Sequence, residues 1–372
     1  MTGRPELNWP TVMYTEEVIR EGFGIESVHI PVQAKVDLIH ALSDTGLKRM
    51  TVGAFVSPRF VPQMACFEEL LSRFTPRQGV SYLTFVHNQR ARQKAQQFAP
   101  PLTIEAEMCH LSLDICDVHQ MRNVNRTKQE IIATWPALIS QARQQGIRQG
   151  RVAIYSAWGS NFMGKFSQAQ RLLELTRQIE MLQAADIEVV EIGLHDSQSW
   201  CLPHEMEADL QEIKRRWPDV HHFHLHMHDA RGMALPALYA ALRTLAPTDT
   251  LWVDGALGGI AGGQYCGNGV ASAMVPTEDF MHMLEGMGID TGVDLHKLID
   301  CVWMLEDIIG HPSFGRVSKA GPRPTQKQAL YDPNLPAIET LQAARHFQLG
   351  PQAYEGKTYF PWAQPIPDMG MR

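Results

Sequence analysis

The chain has no unbroken apolar run near the roughly 18 residues that a membrane-crossing helix needs, so membrane spanning is not expected. Its opening, MTGRPELNWP, has no apolar core behind a basic patch, and no export signal is expected there. The six cysteines, Cys66, Cys109, Cys116, Cys201, Cys266 and Cys301, never fall as C-x-x-C. That usage fits a reduced cytoplasmic protein rather than a disulfide framework. Long runs of one charge are also missing. The formal net charge of −7 is dispersed, and neither nucleic acid nor an anionic membrane surface is an expected partner. No G-x-G-x-x-G follows the first strand pattern, which argues against an open doubly wound sheet.

What is present, in 372 residues that are 44% hydrophobic and 20% charged, is an alternation of short β-branched runs with longer helical patterns. The strand candidates are TVMYTEEVI, KRMTVGAFV, VSYLTFVH, LTIEAEMCHL, GRVAIYSA, IEVVEIGLHD, HHFHLHMH and DTLWVDGAL. Between them lie helical stretches such as PVQAKVDLIHALSDTG, opened by a proline and closed by a glycine, and SQAQRLLELTRQIEMLQAAD. Eight strand-then-helix repeats predict an α/β fold, a (β/α)8 TIM barrel, over residues 1–290. Residues 291–372 read as a C-terminal helical extension around DLHKLIDCVWMLEDIIG and a Pro-rich tail. The aromatic residues of the tail suggest packing, on its own barrel or on a neighbouring subunit, and a homo-oligomer is expected.

In such a barrel the chemistry sits where strands end, so the polar residues just past each strand are read first. The first strand leads into Arg20, Glu21 and Gly22, the sixth into Asp196 and Ser197, and the eighth into a glycine-rich segment, GALGGIAGGQYCGNG. The seventh carries histidines at every second residue: His222, His224, His226 and His228. Period two puts these on one strand face, with Phe223, Leu225 and Met227 opposite. His222 and His224 read as hydrogen-bonded core histidines. His226 and His228, nearest the mouth, read as metal ligands. Two imidazoles joined by a carboxylate from another strand end make a mixed site for Mg²⁺ or Mn²⁺, with Co²⁺ or Zn²⁺ also compatible.

HMHDARGMALPALYAAL, VDGALGG and PTEDFMHMLEGMGIDTGVDL together resemble the hydroxymethylglutaryl-CoA lyase branch of the metal-dependent lyase and aldolase barrels, which also include isopropylmalate and homocitrate synthases. The resemblance runs from about residue 12 to about residue 320 and takes in EEVIREG, AFVSPRFVPQM, DVHQMRNVNRT, YSAWGSNFMGKFS and VEIGLHDS. It implies a divalent cation held by Glu21, His226 and His228, with Glu21 where the family has aspartate. It also implies that Arg20 faces a developing enolate oxygen and that Asp196 lies beside the substrate. Coenzyme A enters only through this resemblance, since no phosphate-cradling motif is present.

Three departures stand out. Thr51 stands where the lyases carry a glutamate, so a supporting carboxylate is expected to be missing. Met274 stands three residues before Thr277, where they carry an asparagine ligand, and Gln264 follows Gly262 and Gly263 where they carry a cysteine. Cys266 and Asn268, close by, are the candidates to replace the lost acid and ligand. Asn123, Asn125, Asp229, Arg231 and Lys165 are lesser candidates: Asn123 and Asn125 for substrate contact or for capping the helix near Thr127, Asp229 and Arg231 for turn and helix-start roles, and Lys165 for an anion or simply water.

The expected activity is cleavage of a 3-hydroxy-3-substituted acyl-CoA to acetyl-CoA and a 3-oxo acid. The alternatives are a condensing enzyme or aldolase of the same superfamily acting on a 2-oxo acid, and a non-catalytic barrel used as a binding subunit.

Overall fold

The computed structural model describes residues 8–86, 89–262, 266, 273–326, 329–335, 337 and 362–367. Eight parallel strands form one curled sheet: β1 (Thr11–Glu16), β2 (Arg49–Ala54), β3 (Ser81–Phe85), β4 (Cys109–Asp114), β5 (Gln149–Tyr155), β6 (Glu188–Asp196), β7 (His222–Met227) and β8 (Thr250–Gly255). Their order across the sheet is 3-2-1-8-7-6-5-4, so consecutive strands lie side by side except β3 and β4, which end the order, and β8 pairs with β1, the pattern of a TIM barrel. Thr103, on the segment between β3 and β4, is tied to β3 by two hydrogen bonds. Thr103 N–H donates to the Tyr82 carbonyl at 2.8 Å, and Tyr82 N–H donates to Thr103 Oγ1 at 3.2 Å.

All eight expected strands are present, and the fourth is displaced. It begins at Cys109 rather than near Leu102 and runs on to Asp114. Glu105 and Glu107 are exposed and leave the sheet, while Leu111 and Leu113 are buried against the helices and set the register with β5. The side chains facing the helices are the core: Leu111, Ile154, Ile192, Phe223, Leu225, Met227, Leu251 and Val253 are all fully buried. Each such burial contributes roughly 1.5–3 kcal/mol. The opposite period lines the barrel interior with polar groups. His224 bonds Asp254 at 2.8 Å and lies 3.6 Å from Glu191. Burial opposes its charge, and those two carboxylates overcome it, pushing its pKa up to about 10. His222, by contrast, is exposed and is not a core residue.

Helices fill the outer ring. α1 (Val32–Ser43) starts after Pro31, and α5 (Lys128–Gln144) and α6 (Gln168–Gln183) each open with a capping box, Thr127 with Glu130 and Ser167 with Gln170. α2 (Phe67–Arg73) follows β2, α3 (Gln89–Gln96) follows β3, α4 (Asp117–Val124) follows β4, α7 (Pro203–Arg216) follows β6, α8 (Ala234–Thr244) follows β7 and α9 (Thr277–Gly286) follows β8. The next helix, Leu295–Ile309, packs on α1 and α9 and buries Leu298, Ile299, Val302 and Leu305. Of the tail, residues 338–361 and 368–372 lie outside the described residues.

Candidate active site

The ladder register carries a row of polar side chains around the interior at the C-terminal ends of the strands. Asp114 pairs with Tyr155, His195 with His226, His226 with Asp254, and Asp254 with Thr15. Beyond β1 the chain winds a π-helical turn, Val18–Gly22, which presents Arg20 and Glu21. Such widened turns recur at functional sites. Gly22 is required there: a Cβ would stand 2.7 Å from Val18 Cγ2 and 2.9 Å from the Ile260 carbonyl, so the start of the glycine-rich segment packs directly on the turn.

Arg20 NH1 pairs with Glu21 at 2.5 Å and Glu17 at 3.3 Å, and its guanidinium lies 4.5 Å over the Phe85 ring. Burial works against charge on Glu21, but Arg20, with His226 and His228, outweighs it and holds the carboxyl below the usual carboxylate range. His226 turns Nδ1 to Asp254 Oδ2 at 3.0 Å. A carboxylate only accepts, so Nδ1 is the donor to Asp254 and Nε2 is the nitrogen left for a metal. The His226 and His228 rings lie 5.3 Å apart between centroids. His195 stacks on His226 at 5.4 Å and contacts Tyr155 at 4.5 Å; burial and the surrounding imidazoles hold its pKa well below the ordinary value, so it stays neutral.

Two imidazoles and one ionised carboxylate are a fitting donor set for a hard or borderline divalent cation. As they stand, with Glu21 turned to Arg20, no three His, Cys, Asp or Glu side chains among the described residues are gathered tightly enough to hold an ion. Asn268, the fourth expected ligand, lies outside the described residues. Met274 forms an antiparallel bridge with His228, so that stretch of chain does border the histidine pair, with a fully buried thioether in place of an amide.

The expectation of a missing carboxylate at position 51 is corrected. Thr51 Oγ1 donates to Glu17 Oε1 at 2.6 Å, and Glu17 Oε2 accepts from Arg20. The acid comes from β1's end instead of from β2. Burial raises its pKa to about 7 against the pull of Arg20.

Cys266 is buried, with Sγ 3.2 Å from the Ser197 carbonyl and 3.8 Å from His119 Nε2. Burial first, then Glu21 and Asp114, pushes its pKa up to about 12, so it is a thiol at neutral pH. Asp196 accepts from Trp200 N–H at 2.9 Å and Cys201 N–H at 2.7 Å, which ties both its oxygens to the turn after β6. Burial lifts its pKa to about 6 against these bonds.

Arg231 latches three strand ends together, donating to the carbonyls of Gln198 and Ser199 and to Asn161 Oδ1 at 2.8 Å. Asn161 Nδ2 in turn reaches the Cys266 carbonyl at 3.4 Å. Asp229 accepts from Ala234 N–H at the start of α8. Asn125 ends α4 in the left-handed conformation rather than capping the next helix, which Thr127 does; Asn123 is exposed, and exposed Lys165 pairs with Glu205. Sequence reasoning passed over Glu17, Asp114, His119, His195 and Asn161.

A family model described as HMGL-like matches residues 12–304. The chain belongs to the HMGL-like family. The family member from Rattus norvegicus named cytoplasmic 3-hydroxy-3-methylglutaryl-CoA lyase is 31% identical over 320 residues, covering 86% of each chain. An (R)-citramalyl-CoA lyase of Chloroflexus aurantiacus is 30% identical, over 82% of this chain and 92% of that protein. Among solved structures, an HMG-CoA lyase from Acinetobacter baumannii, in complex with coenzyme A and 3-methylmalate, superposes with a TM-score of 0.69 at 27% identity, covering 85% of this chain and 97% of the other. This HMGL-like chain is thus an enzyme, a lyase of its family, and the reading of the barrel as a non-catalytic binding subunit is set aside. Among the described residues no helix is long and apolar enough to cross a membrane.

Proposed function

We propose that the chain cleaves a carbon–carbon bond in a 3-hydroxy-3-substituted acyl-CoA, releasing acetyl-CoA and an oxo acid. The observation that carries this reading is the meeting, at one end of the barrel, of a permanent cation (Arg20), a carboxylate with two imidazoles (Glu21, His226, His228) and a buried thiol (Cys266) that feels the charges of Glu21 and Asp196. Retro-aldol and retro-Claisen chemistry needs these types. The hydroxyl O–H breaks, its oxygen becomes a carbonyl as the carbon–carbon bond breaks, and the electron pair passes to the acyl-CoA as an enolate. Arg20 is held at the strand end by Glu17, with Glu21 beside it, where its charge would meet the enolate oxygen. Cys266, held as a thiol, protonates the enolate carbon. Asp196 braces the turn against which the substrate lies.

Glu21, His226 and His228 would hold a divalent cation, Mg²⁺ or Mn²⁺, with Asn268 as a further candidate ligand. When bound it supplies Lewis-acid polarisation of the substrate oxygens and makes the hydroxyl proton easier to remove.

The test is release of acetyl-CoA from hydroxymethylglutaryl-CoA and from citramalyl-CoA, with added Mg²⁺ or Mn²⁺, in wild type and His228→Ala. Metal-dependent cleavage of either thioester, lost in the variant, supports the proposal; cleavage of neither overturns it for these substrates. The relative named for citramalyl-CoA at 30% identity favours the second thioester as a specific contender, in which the released acid is a 2-oxo acid.

A further inference from the structure

Asp114 is the last residue of β4 and faces the barrel interior beside Tyr155. Its Oδ1 accepts from Cys116 N–H at 2.9 Å, and its Oδ2 is hydrogen-bonded to His119 Nδ1. His119 lies in the first turn of α4, where its own N–H donates to Cys116 Sγ, so strand end and helix start are tied into one rigid corner. With Nδ1 committed to the carboxylate, the free edge of the ring is Nε2, and it faces Cys266 Sγ at 3.8 Å. All three side chains are withdrawn from solvent, at 3%, 5% and 2% exposure. Burying an acid and an imidazole together is costly unless each polar atom has a use, and packing alone does not call for it.

We propose that Asp114, His119 and Cys266 act as one unit, in which the Asp114–His119 pair holds the Cys266 thiol in place and returns to it the proton that it gives up. This rests on the lyase reading above. When Cys266 protonates the enolate carbon, an S–H bond breaks, a C–H bond forms and a thiolate remains. His119, protonated on both nitrogens, then breaks its Nε2–H bond to re-form S–H and returns to the neutral ring with its proton on Nδ1. The Asp114 carboxylate stabilises the charged ring in the interval and selects that tautomer afterwards. The proton that Nε2 carries is the one lost by the substrate hydroxyl, passed through water, so the count closes with no further reagent. Cys266 is the catalytic residue here; His119 and Asp114 are positioning residues.

Two measurements test the unit. In the first, turnover is followed for Cys266→Ala, His119→Gln, Asp114→Asn and the Cys266→Ala/His119→Gln double variant. Cys266→Ala is expected to lower kcat about 100-fold or more, within the usual range for a lost general acid. His119→Gln is expected to lower it about 10- to 100-fold with KM unchanged, Asp114→Asn to follow His119→Gln, and the double variant to be no slower than Cys266→Ala. Losses that multiply, or a change confined to KM, overturn the unit and leave a packing role. The second needs no substrate: the rate at which iodoacetamide labels Cys266, read on its own peptide by mass spectrometry. His119→Gln is expected to slow labelling several-fold, because Nε2 no longer draws the proton from sulfur; an unchanged rate overturns the contact. Slower labelling in His119→Gln, together with a wild-type protein that cleaves no thioester, would keep the contact and reject the lyase reading alone.

Discussion

Thr51 Oγ1, within β2, and Glu17 Oε1, just past the end of β1, meet at 2.6 Å, and the other oxygen of Glu17 faces Arg20. The carboxylate that steadies the guanidinium therefore enters from β1, and the residue on β2 has become its hydrogen-bond donor. Glu17→Val is expected to lower kcat/KM roughly 10- to 100-fold, the scale of a lost charge-assisted hydrogen bond of about 1.5–3 kcal/mol. Moving the acid back, in Glu17→Val with Thr51→Glu, is expected to restore most of the loss. A double variant as slow as the single one would show that Arg20 does not depend on a carboxylate at this place.

Removing a donor from the carboxylate and imidazole set should show in metal affinity without any substrate. Titrating Mn²⁺ by its free-ion electron spin resonance signal, Glu21→Ala, His226→Ala and His228→Ala are each expected to weaken binding by at least about 10-fold, and Asp254→Asn by a smaller factor through loss of the bond that orients His226. Equal Mn²⁺ affinity in wild type and His228→Ala would remove His228 from the ligand set.

The loop after β5 hangs on a buried ion pair. Asp209 accepts from Arg171 NH2 at 3.0 Å and from the Trp158 indole at 2.7 Å. Arg171→Ala leaves that acid buried and unpaired, and a loss of about 3–5 kcal/mol is expected in urea unfolding. Arg171→Met with Asp209→Leu should recover part of it. A loss under about 1 kcal/mol for the single variant would mean that water reaches Asp209.

Glu278 is fully buried behind Gly258, whose N–H it accepts. Burial, with Asp279 next to it, raises its pKa to about 8. The folded state thus holds a proton that the unfolded chain releases near the ordinary glutamate value of 4.5. This contribution to stability is fully present below about pH 4.5 and is lost as pH rises through about 8. Glu278→Gln is expected to melt close to wild type at pH 5 and above it at pH 9. A difference between the two proteins that is the same at both pH values would contradict the assignment.

The barrel was legible because parallel strands covered on the outside by helices read as short apolar runs, and the interior histidines were legible because period two survives even in a polar face. What escaped followed from one displaced boundary. Placing the fourth strand at LTIEAEMCHL ended it at Leu111, so Asp114 was not read as a strand-end residue and His119 was not weighed beside it. Continuing the alternation His110, Ser112, Asp114 past Leu111 would have found the acid. Glu17 escaped for a different reason: its neighbour across the sheet, Thr51, was read for what it lacks, and a hydroxyl does not announce in sequence which carboxylate it serves. Cys266 was found by proximity in sequence, but its partner came from a helix 147 residues away, a distance that only folding closes.

The latch described at the strand ends separates two properties that usually change together. Cys266 is moored through its carbonyl to Asn161, and Asn161 to Arg231, whose other bonds end on the backbone after β6. Its thiol, at the Ser197 carbonyl, is thus tied to the barrel rim as well. Under the proposed reading, the place of the proton donor is set by residues that follow β5, β6 and β7, so the size of the substrate and the chemistry performed on it are free to drift independently.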